Sequence, residues 1–377
     1  MRIAQIAPLF ESVPPRLYGG TERVVSYLTE ELVKQGHQVT LFASGDSMTS
    51  AELVACSPRS LRLDPRVRDP IPHFMLMLDK VRERAPDFDV LHFHIDYLHF
   101  PLFHPERGRT LTTLHGRQDL ADHMPFYRRF ADMPLVSISN AQRTALPNTN
   151  FVATVYHGLP LNLHQPICAT PGGYLAFLGR ISPEKRPDRA IAIARAAGIA
   201  LKIAAKVDKV DEAYFREVIS PLLQGPEVEF VGEINERAKT EFLGQASGLL
   251  FPIDWPEPFG LVMIEAMACG TPVLAFPSGS VAEIVDDGVT GRIVTTLDEA
   301  VRAVPQLLAL SRQAVRRRFE QRFSSARMAE DYVRLYRAML RRRSAQKIDA
   351  PALALHSANE RLRMQRPMLS DLVEDGA

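Results

Sequence analysis

The feature that most constrains the fold is an alternation of short apolar runs with amphipathic segments, which stops once and starts again. RIAQIAP (Arg2 to Pro8) reads as a strand, and GGTERVVSYLTEELVKQGH (Gly19 to His37) as a helix. Val24, Val25, Leu28, Leu32 and Val33 recur there at helical spacing, and Gly36 stops the run. QVTLFAS, DVLHFH (Asp89 to His94), TLTTLHG (Thr110 to Gly116), PLVSISN (Pro134 to Asn140) and NFVATVYHG (Asn150 to Gly158) read as further strands. LPLNLHQPICATPGG (Leu159 to Gly173) has three prolines and no sustained period, so it reads as a linker. The pattern then resumes with YLAFLGR, ALKIAAKV, VEFVGEI, GLLFPI and TPVLAF as strands separated by helical stretches. Strands alternating with helices build parallel sheets. The expectation is an α/β protein of two doubly wound, Rossmann-like sheets facing a cleft. The domains fall at 1–165 and 166–323. A final helix, SSARMAEDYVRLYRAML (324–340), packs back on the first, and a polar, weakly periodic tail covers 341–377.

Composition narrows the function classes. Net charge is +1, from 45 basic and 44 acidic residues, which argues against a nucleic-acid partner held by bulk charge. The cysteines Cys56, Cys168 and Cys269 are odd in number and far apart, which suggests a reducing compartment rather than a disulfide framework or a metal cage. MRIAQIAPLF is too short for a secretory apolar segment and reads as the first strand. No apolar run approaches the roughly 20 residues of a membrane span. A cytoplasmic protein is expected, with peripheral contact at a membrane left open.

In open α/β sheets, ligands bind at the carboxyl ends of strands, so chemistry is sought there. DWPEPFGLVMIEAMACGTPV (Asp254 to Val273) carries Glu257 and Glu265, the second inside an apolar run. With Pro258 in the first turn of a helix, the N–H groups near Phe259, Gly260 and Leu261 would face an anion, and the two acids would lie about 12 Å apart along the axis. Each carboxylate suits a diol. The plain alternatives are a loop residue for Glu257 and a buried ion pair with an unidentified arginine for Glu265. GRISPEKRPDR (Gly179 to Arg189) places Arg180 and Lys185 after a strand, where two cations can hold a diphosphate, although a solvated charge run is the commoner case. Gly19 and Gly20 permit close backbone approach to a phosphate, but their spacing is not GxGxxG. PSGSVAEIVDDGVTG (Pro277 to Gly291) is a second turn whose N–H groups could face the cleft. His94 and Asp96, at a strand's carboxyl end, are acceptor-site candidates. His92 and His94 share a strand face, but no third ligand stands at useful spacing, so no metal is expected. Ser139 or Asn140 reads as a helix cap. Trp255 reads equally as a stacking platform or a packed loop anchor.

Together, GGTERVVSYLTEELVKQGHQVTLFA, GRISPEK, EPFGLVMIEAMACGTPV and SVAEIVDDGVTG resemble, in order and spacing, the retaining family-4 glycosyltransferases of GT-B fold. The likeness runs from Met1 to about Leu340. Its E-x7-E signature falls on Glu257 and Glu265. The resemblance implies that Glu265 holds the donor ribose and Glu257 lies at the donor sugar. It also implies that Arg180 and Lys185 grip the diphosphate beside Gly179, that the Gly19–Gly20 loop closes over it, and that backbone at Glu233 and Ile234 reads the base. His115 resembles the family's histidine near the donor sugar. No metal or other cofactor is implied. The partners implied are a nucleotide-diphosphate sugar and a glycan, lipid-linked or small-molecule acceptor. The first half of the chain would carry the acceptor side and the second the donor side. YHGLP departs from the family's Asn-Gly turn, with His157 before Gly158 and no following Asp, and Arg186 replaces a common Gly. A nucleotide-sugar hydrolase or epimerase of the same fold and a non-catalytic nucleotide-sugar binder are the alternative classes.

Overall fold

A computed structural model describes residues 1–167 and 172–364. Two parallel sheets carry the structure. The first is formed by β1 (Arg2–Ile6), β2 (Gln38–Ser44), β3 (Glu52–Ser57), β4 (Val90–Phe93), β5 (Thr110–Thr113), β6 (Leu135–Ser137) and β7 (Phe151–Thr154), in the order β3-β2-β1-β4-β5-β6-β7. The second is formed by β8 (Tyr174–Arg180), β9 (Ala200–Lys206), β10 (Val228–Gly232), β11 (Gly248–Phe251), β12 (Val273–Ala275) and β13 (Gly291–Ile293), in the order β10-β9-β8-β11-β12-β13. In both, the strand order reverses beside the first strand, the switch point where α/β sheets open a crevice.

Strands buried on both faces stand out in the sequence, and the two that periodicity misses are edge or minimal strands. β3 lies at the sheet edge with four of its six residues partly or fully exposed, and β13 has three residues. A run such as ELVACS carries little alternation because only its end is covered. The helices Ile71–Arg84, Leu297–Leu308 and Arg312–Arg322 also lie in stretches that the period analysis leaves unassigned.

The last helix begins at Ser325, crosses to the first domain and packs Met328, Ala329, Tyr332, Val333 and Tyr336 against Ile3, Val24, Leu28, Leu111 and Val136. It continues past Leu340 to Met364, where a tail was expected. The segment is rich in Arg, Ala and Leu and contains no glycine, so nothing caps the helix at 340. The rest of the tail, 365–377, and Cys168 lie outside the described residues. Among the described residues, no helix is long and apolar enough to cross a membrane.

The chain passes between the domains twice, and the two passages are hydrogen-bonded to each other. Leu159 N donates to Phe323 O at 2.8 Å, and Ser325 N donates to Leu159 O at 2.8 Å. This explains the glycine of the YHGLP turn: a Cβ at Gly158 would stand 2.2 Å from Ser324 O. Backbone, unlike a side-chain tip, cannot swing away. Gly158→Ala is therefore expected to destabilise the protein by about 1–3 kcal/mol, the usual range for overpacking. A thermal-denaturation curve matching wild type would show that the crossings separate freely.

Candidate active site

The carboxyl ends of the strands from both sheets open on one cavity of about 660 Å³. The first domain contributes the Gly19–Gly20 loop after β1, His94 and Asp96 after β4, and His115 after β5. The second contributes Gly179 and Arg180 at the end of β8, then Lys185, Lys206, Glu233, Ile234, Glu257, Phe259, Gly260, Leu261 and Glu265. The catalytic, donor-site and acceptor-site candidates of the sequence all lie on this wall, but the Gly/Ser-rich turn at 277–280 does not. The two domains meet closely across it: a Cβ at Gly20 would touch Leu261 Cδ1 at 3.4 Å.

Within the cleft Glu257 and Glu265 each have a cation. Lys185 Nζ donates to Glu257 Oε2, which also accepts from Trp255 Nε1 at 3.1 Å. The ammonium lies 4.8 Å from the Trp255 ring centroid, so Trp255 braces the pair as a loop anchor. Glu265, almost fully buried, is paired with Lys239, whose Nζ donates to Oε1 at 2.8 Å. The expected arginine partner is thus a lysine, one turn into the helix Glu236–Gln245. Lys239 also lies 3.4 Å from Glu236, which is bonded by Arg23 of the first domain and lies 3.0 Å from His164 Nε2. Burial pushes the Glu236 carboxyl up, but the His164 hydrogen bond and the charges of Lys239 and Arg23 outweigh it and hold it down at about 2. His164, Glu236 and Glu265 stand close enough to ligate an ion, but Lys239 and Arg23 already meet their charge. Arg180 reaches Glu184 at 2.9 Å and Asp208 at 3.5 Å. Burial works against its charged form, and the nearby Tyr18, Glu184 and Asp208 overcome this and raise its pKa.

The helix carrying Glu265 starts later than expected. It spans Leu261–Ala268, with Gly260 as N-cap at φ 78°. That left-handed conformation, natural to glycine, ends the preceding loop and keeps Pro258 out of the helix. The free N–H groups belong to the turn that begins at Leu261, and the estimate of axial separation between Glu257 and Glu265 does not apply. The Gly/Ser-rich turn 277–280 is not on the cavity wall. It holds the Glu257 loop from behind: Ser280 N donates to Glu257 O at 2.9 Å, and Ser278 Oγ donates to Trp255 O at 2.6 Å. Ser139 Oγ caps the helix at Asn140 by accepting from Gln142 N. Glu283 of the second domain accepts from Asn140 N and Ala141 N of the first, both at 2.7 Å, and so ties the domains.

His94 does not have a nitrogen free for an acceptor. Its Nδ1 is 2.9 Å from His115 Nε2, and its Nε2 is 2.8 Å from Gln5 Oε1. It lines the cavity beside His115, whose ring stacks on His157 at 5.3 Å between centroids. Asp96 has φ 51° and accepts weakly from Gln118 Nε2; burial, only partly offset by this bond, raises its carboxyl pKa.

Two family models match consecutive parts of the chain: "Glycosyltransferase Family 4" over residues 18–158 and "Glycosyl transferases group 1" over 169–323. The chain belongs to the family-4 glycosyltransferases. Among curated relatives, the D-inositol 3-phosphate glycosyltransferase of Mycobacterium leprae is 33% identical over 193 residues, covering 45% of this chain and 41% of that protein. The Mycobacterium tuberculosis protein of the same name is 34% identical over 134 residues, 32% of this chain and 26% of its own. The match thus spans less than half the length of these relatives. Among solved structures, the avilamycin A biosynthesis glycosyltransferase AviGT4 superposes with a TM-score of 0.71 at 25% identity, covering 90% of this chain and 98% of its own. Anabaena HepE in complex with UDP-glucose superposes at 0.70 and 16% identity, covering 90% and 100%. The two sheets are those of the GT-B fold.

Sequence reasoning missed Lys239, Glu236, His164 and Arg23. Lys239 and Glu265 are far apart in the chain, so no local spacing links them. Arg23 carried a faint signal, a charge among the buried positions of the first helix and close to Gly19–Gly20. The histidines give a prediction. Burial lowers the pKa of His92, His94 and His157 well below 6.5, and that of His115 to about 3. These rings are neutral in the fold and protonate near 6.5 when unfolded, so the unfolded chain binds more protons as pH falls. The stability they confer is complete above 6.5 and is lost as pH falls from there toward 3, the His115 value. The urea midpoint should already drop between pH 6.5 and about 5, before most carboxylates titrate. A midpoint flat across that interval would mean the rings are charged in the fold.

Proposed function

We propose that this family-4 glycosyltransferase moves a hexosyl group from a nucleotide-diphosphate sugar to an acceptor hydroxyl, with retention at the anomeric carbon and without a metal. The observation that carries the reading is the Lys185–Glu257 pair on the same cavity wall as Arg180, Glu265 and the Leu261 helix N-terminus. The site holds anion-binding and diol-binding groups side by side, and Lys185 is an exchangeable cation. A diphosphate oxygen arriving within about 4 Å of the ammonium gains roughly 4 kcal/mol at an effective dielectric constant near 20. It can therefore compete for Lys185, leaving Glu257 to accept from hydroxyls of the sugar. Glu265, fixed by Lys239, accepts from the ribose hydroxyls. Complexes of HepE with UDP and with UDP-glucose support a donor of this class.

In the proposed reaction the bond between the anomeric carbon and the diphosphate oxygen breaks, and the acceptor oxygen bonds to that carbon from the same face. The acceptor proton passes to the departing phosphate oxygen. Glu257, accepting from Trp255 and from the sugar hydroxyls, is assigned no role as a nucleophile. Arg180, Lys185 and the N–H groups from Leu261 onward stabilise the charge on the leaving group. The narrow gap between Gly20 and Leu261 suits closure that excludes water, the competing acceptor.

Lys185→Ala and Glu265→Ala should each lower donor turnover by roughly tenfold or more in a folded, purified protein. Wild-type rates in either variant would remove that residue from the mechanism. A thermal-shift series with UDP-, GDP-, ADP- and TDP-sugars should raise the melting temperature for the cognate donor, since a ligand of the folded state stabilises it. No shift with any of the four would count against a nucleotide-sugar site.

A further inference from the structure

Beneath the cleft, a chain of polar side chains runs from the C-terminal helix to His115. Gln5, His92, Tyr332 and Tyr336 are almost inaccessible to solvent. The Gln5 amide is its centre, with Nε2 donating to Tyr336 Oη at 3.2 Å and Oε1 lying 2.8 Å from His94 Nε2. These two contacts determine the direction of every other bond. Tyr336 Oη accepts from Gln5, so its single proton goes to His92 Nδ1 at 2.7 Å. His92 then carries its proton on Nε2 and donates to Thr113 Oγ1 at 2.8 Å, and Thr113 donates onward to Tyr332 Oη at 2.8 Å. On the other arm, Gln5 Oε1 can only accept, so His94 carries its proton on Nε2. His94 Nδ1 is then a lone pair, and it accepts from His115 Nε2–H at 2.9 Å. Which ring nitrogen is protonated follows from the bond the other one makes. His115 Nδ1 is enclosed and has no protein partner.

We propose that Gln5 and Tyr336 are positioning residues that act through His94 to hold His115 as the Nε2–H tautomer, leaving its Nδ1 as a hydrogen-bond acceptor at the cleft wall. Turning the Gln5 amide over reverses every bond in the chain and makes Nδ1 a donor. The reversed state leaves the enclosed His115 Nδ1–H, fixed in the ring plane, without an acceptor, whereas the stated direction ends on the Tyr332 hydroxyl, whose proton can rotate. Tyr336, bonded to both the amide and His92, couples the amide to the rest of the chain so that no bond can reverse alone. A lone pair at Nδ1 takes an O–H or N–H from a ligand and repels a phosphate or carboxylate oxygen. A ligand that reaches Nδ1 is therefore bound there through a hydroxyl and not through the leaving diphosphate. Burial, which keeps His92, His94 and His115 neutral, is consistent with this.

The functional consequence rests on the placement of His115 at the donor sugar; the tautomer does not. Long-range ¹⁵N–¹H correlation spectra of the imidazole rings, taken near neutral pH on the ligand-free full chain, report the tautomer directly. Wild type should show His115 with its proton on Nε2 alone. Tyr336→Phe cuts the link between the amide and the His92 arm, and Gln5→Leu removes the amide. Each should convert the His115 signals to a mixture of tautomers, and either variant suffices if the other does not fold. The proposal is overturned by a wild-type proton on Nδ1, or by an unchanged single tautomer in the folded variants. Turnover should fall roughly tenfold, as when ring-orienting partners are removed at other histidine sites, with little change in donor KM. If the tautomer mixes while turnover stays at the wild-type level, the hydrogen-bond chain stands and the assignment of His115 to the sugar falls.

Discussion

The chain crosses between its sheets twice at one place, and the contact of those crossings determines what the cleft can be. Leu159 is hydrogen-bonded on both sides by the returning chain at Phe323 and Ser325, with no space for a side chain on Gly158. Two parallel sheets joined by one strand of linker could adopt many relative orientations. Joined by two backbone passages bonded to each other, they can only rock about that point. The carboxyl ends of both sheets then face one another, and the Gly20 loop meets the Leu261 helix start. The cavity follows from this constraint more than from any contact within it.

Inside the cavity, charge is balanced by groups from separate segments. Lys185 follows β8 while Glu257 precedes the Leu261 helix; Lys239 and Glu265 sit on neighbouring helices; Arg23 reaches Glu236 from the other domain. Buried carboxylates are costly unless paired, and breaking one such pair leaves an uncompensated charge. A ligand that removes Lys185 from Glu257 must therefore supply both an anion for the ammonium and hydroxyls for the acid. A diphosphate linked to a sugar carries both. Inorganic phosphate or a free sugar carries one each, so under the proposed function the pair would discriminate before any shape is read.

This division also explains what the sequence revealed and what it did not. Doubly covered strands such as QVTLFAS and ALKIAAK are apolar runs, so the sheets were legible, and the edge strand ELVACS was not. Glu257, Glu265, Arg180 and Lys185 were legible because their spacing along the chain reflects a strand end and a helix start. Lys239, Glu236 and Arg23 were not, because their proximity is created by the meeting of elements remote in sequence. The helix start at Leu261 was misplaced because Pro258 is acceptable in a first turn, whereas the left-handed Gly260 fixes the boundary. His94 was placed correctly at a strand end, but both of its nitrogens are engaged, a fact that depends on Gln5 in a different strand.

The polar chain under the cleft has an energetic counterpart in the last helix. A parallel sheet covered on both faces normally presents only aliphatic residues inward. Here β1, β4 and β5 present Gln5, His92 and Thr113 to the face that the last helix covers, and the helix answers with Tyr332 and Tyr336. Such groups are tolerable only where they find partners, and a connected network restricts the arrangement more than an apolar contact does. The returning helix thus does more than cover apolar surface. Its two tyrosines complete a network that would otherwise leave buried polar atoms unpaired directly behind His115. Docking of a segment from the far end of the chain, and the chemical state of a ring on the cleft wall, are consequences of the same set of hydrogen bonds.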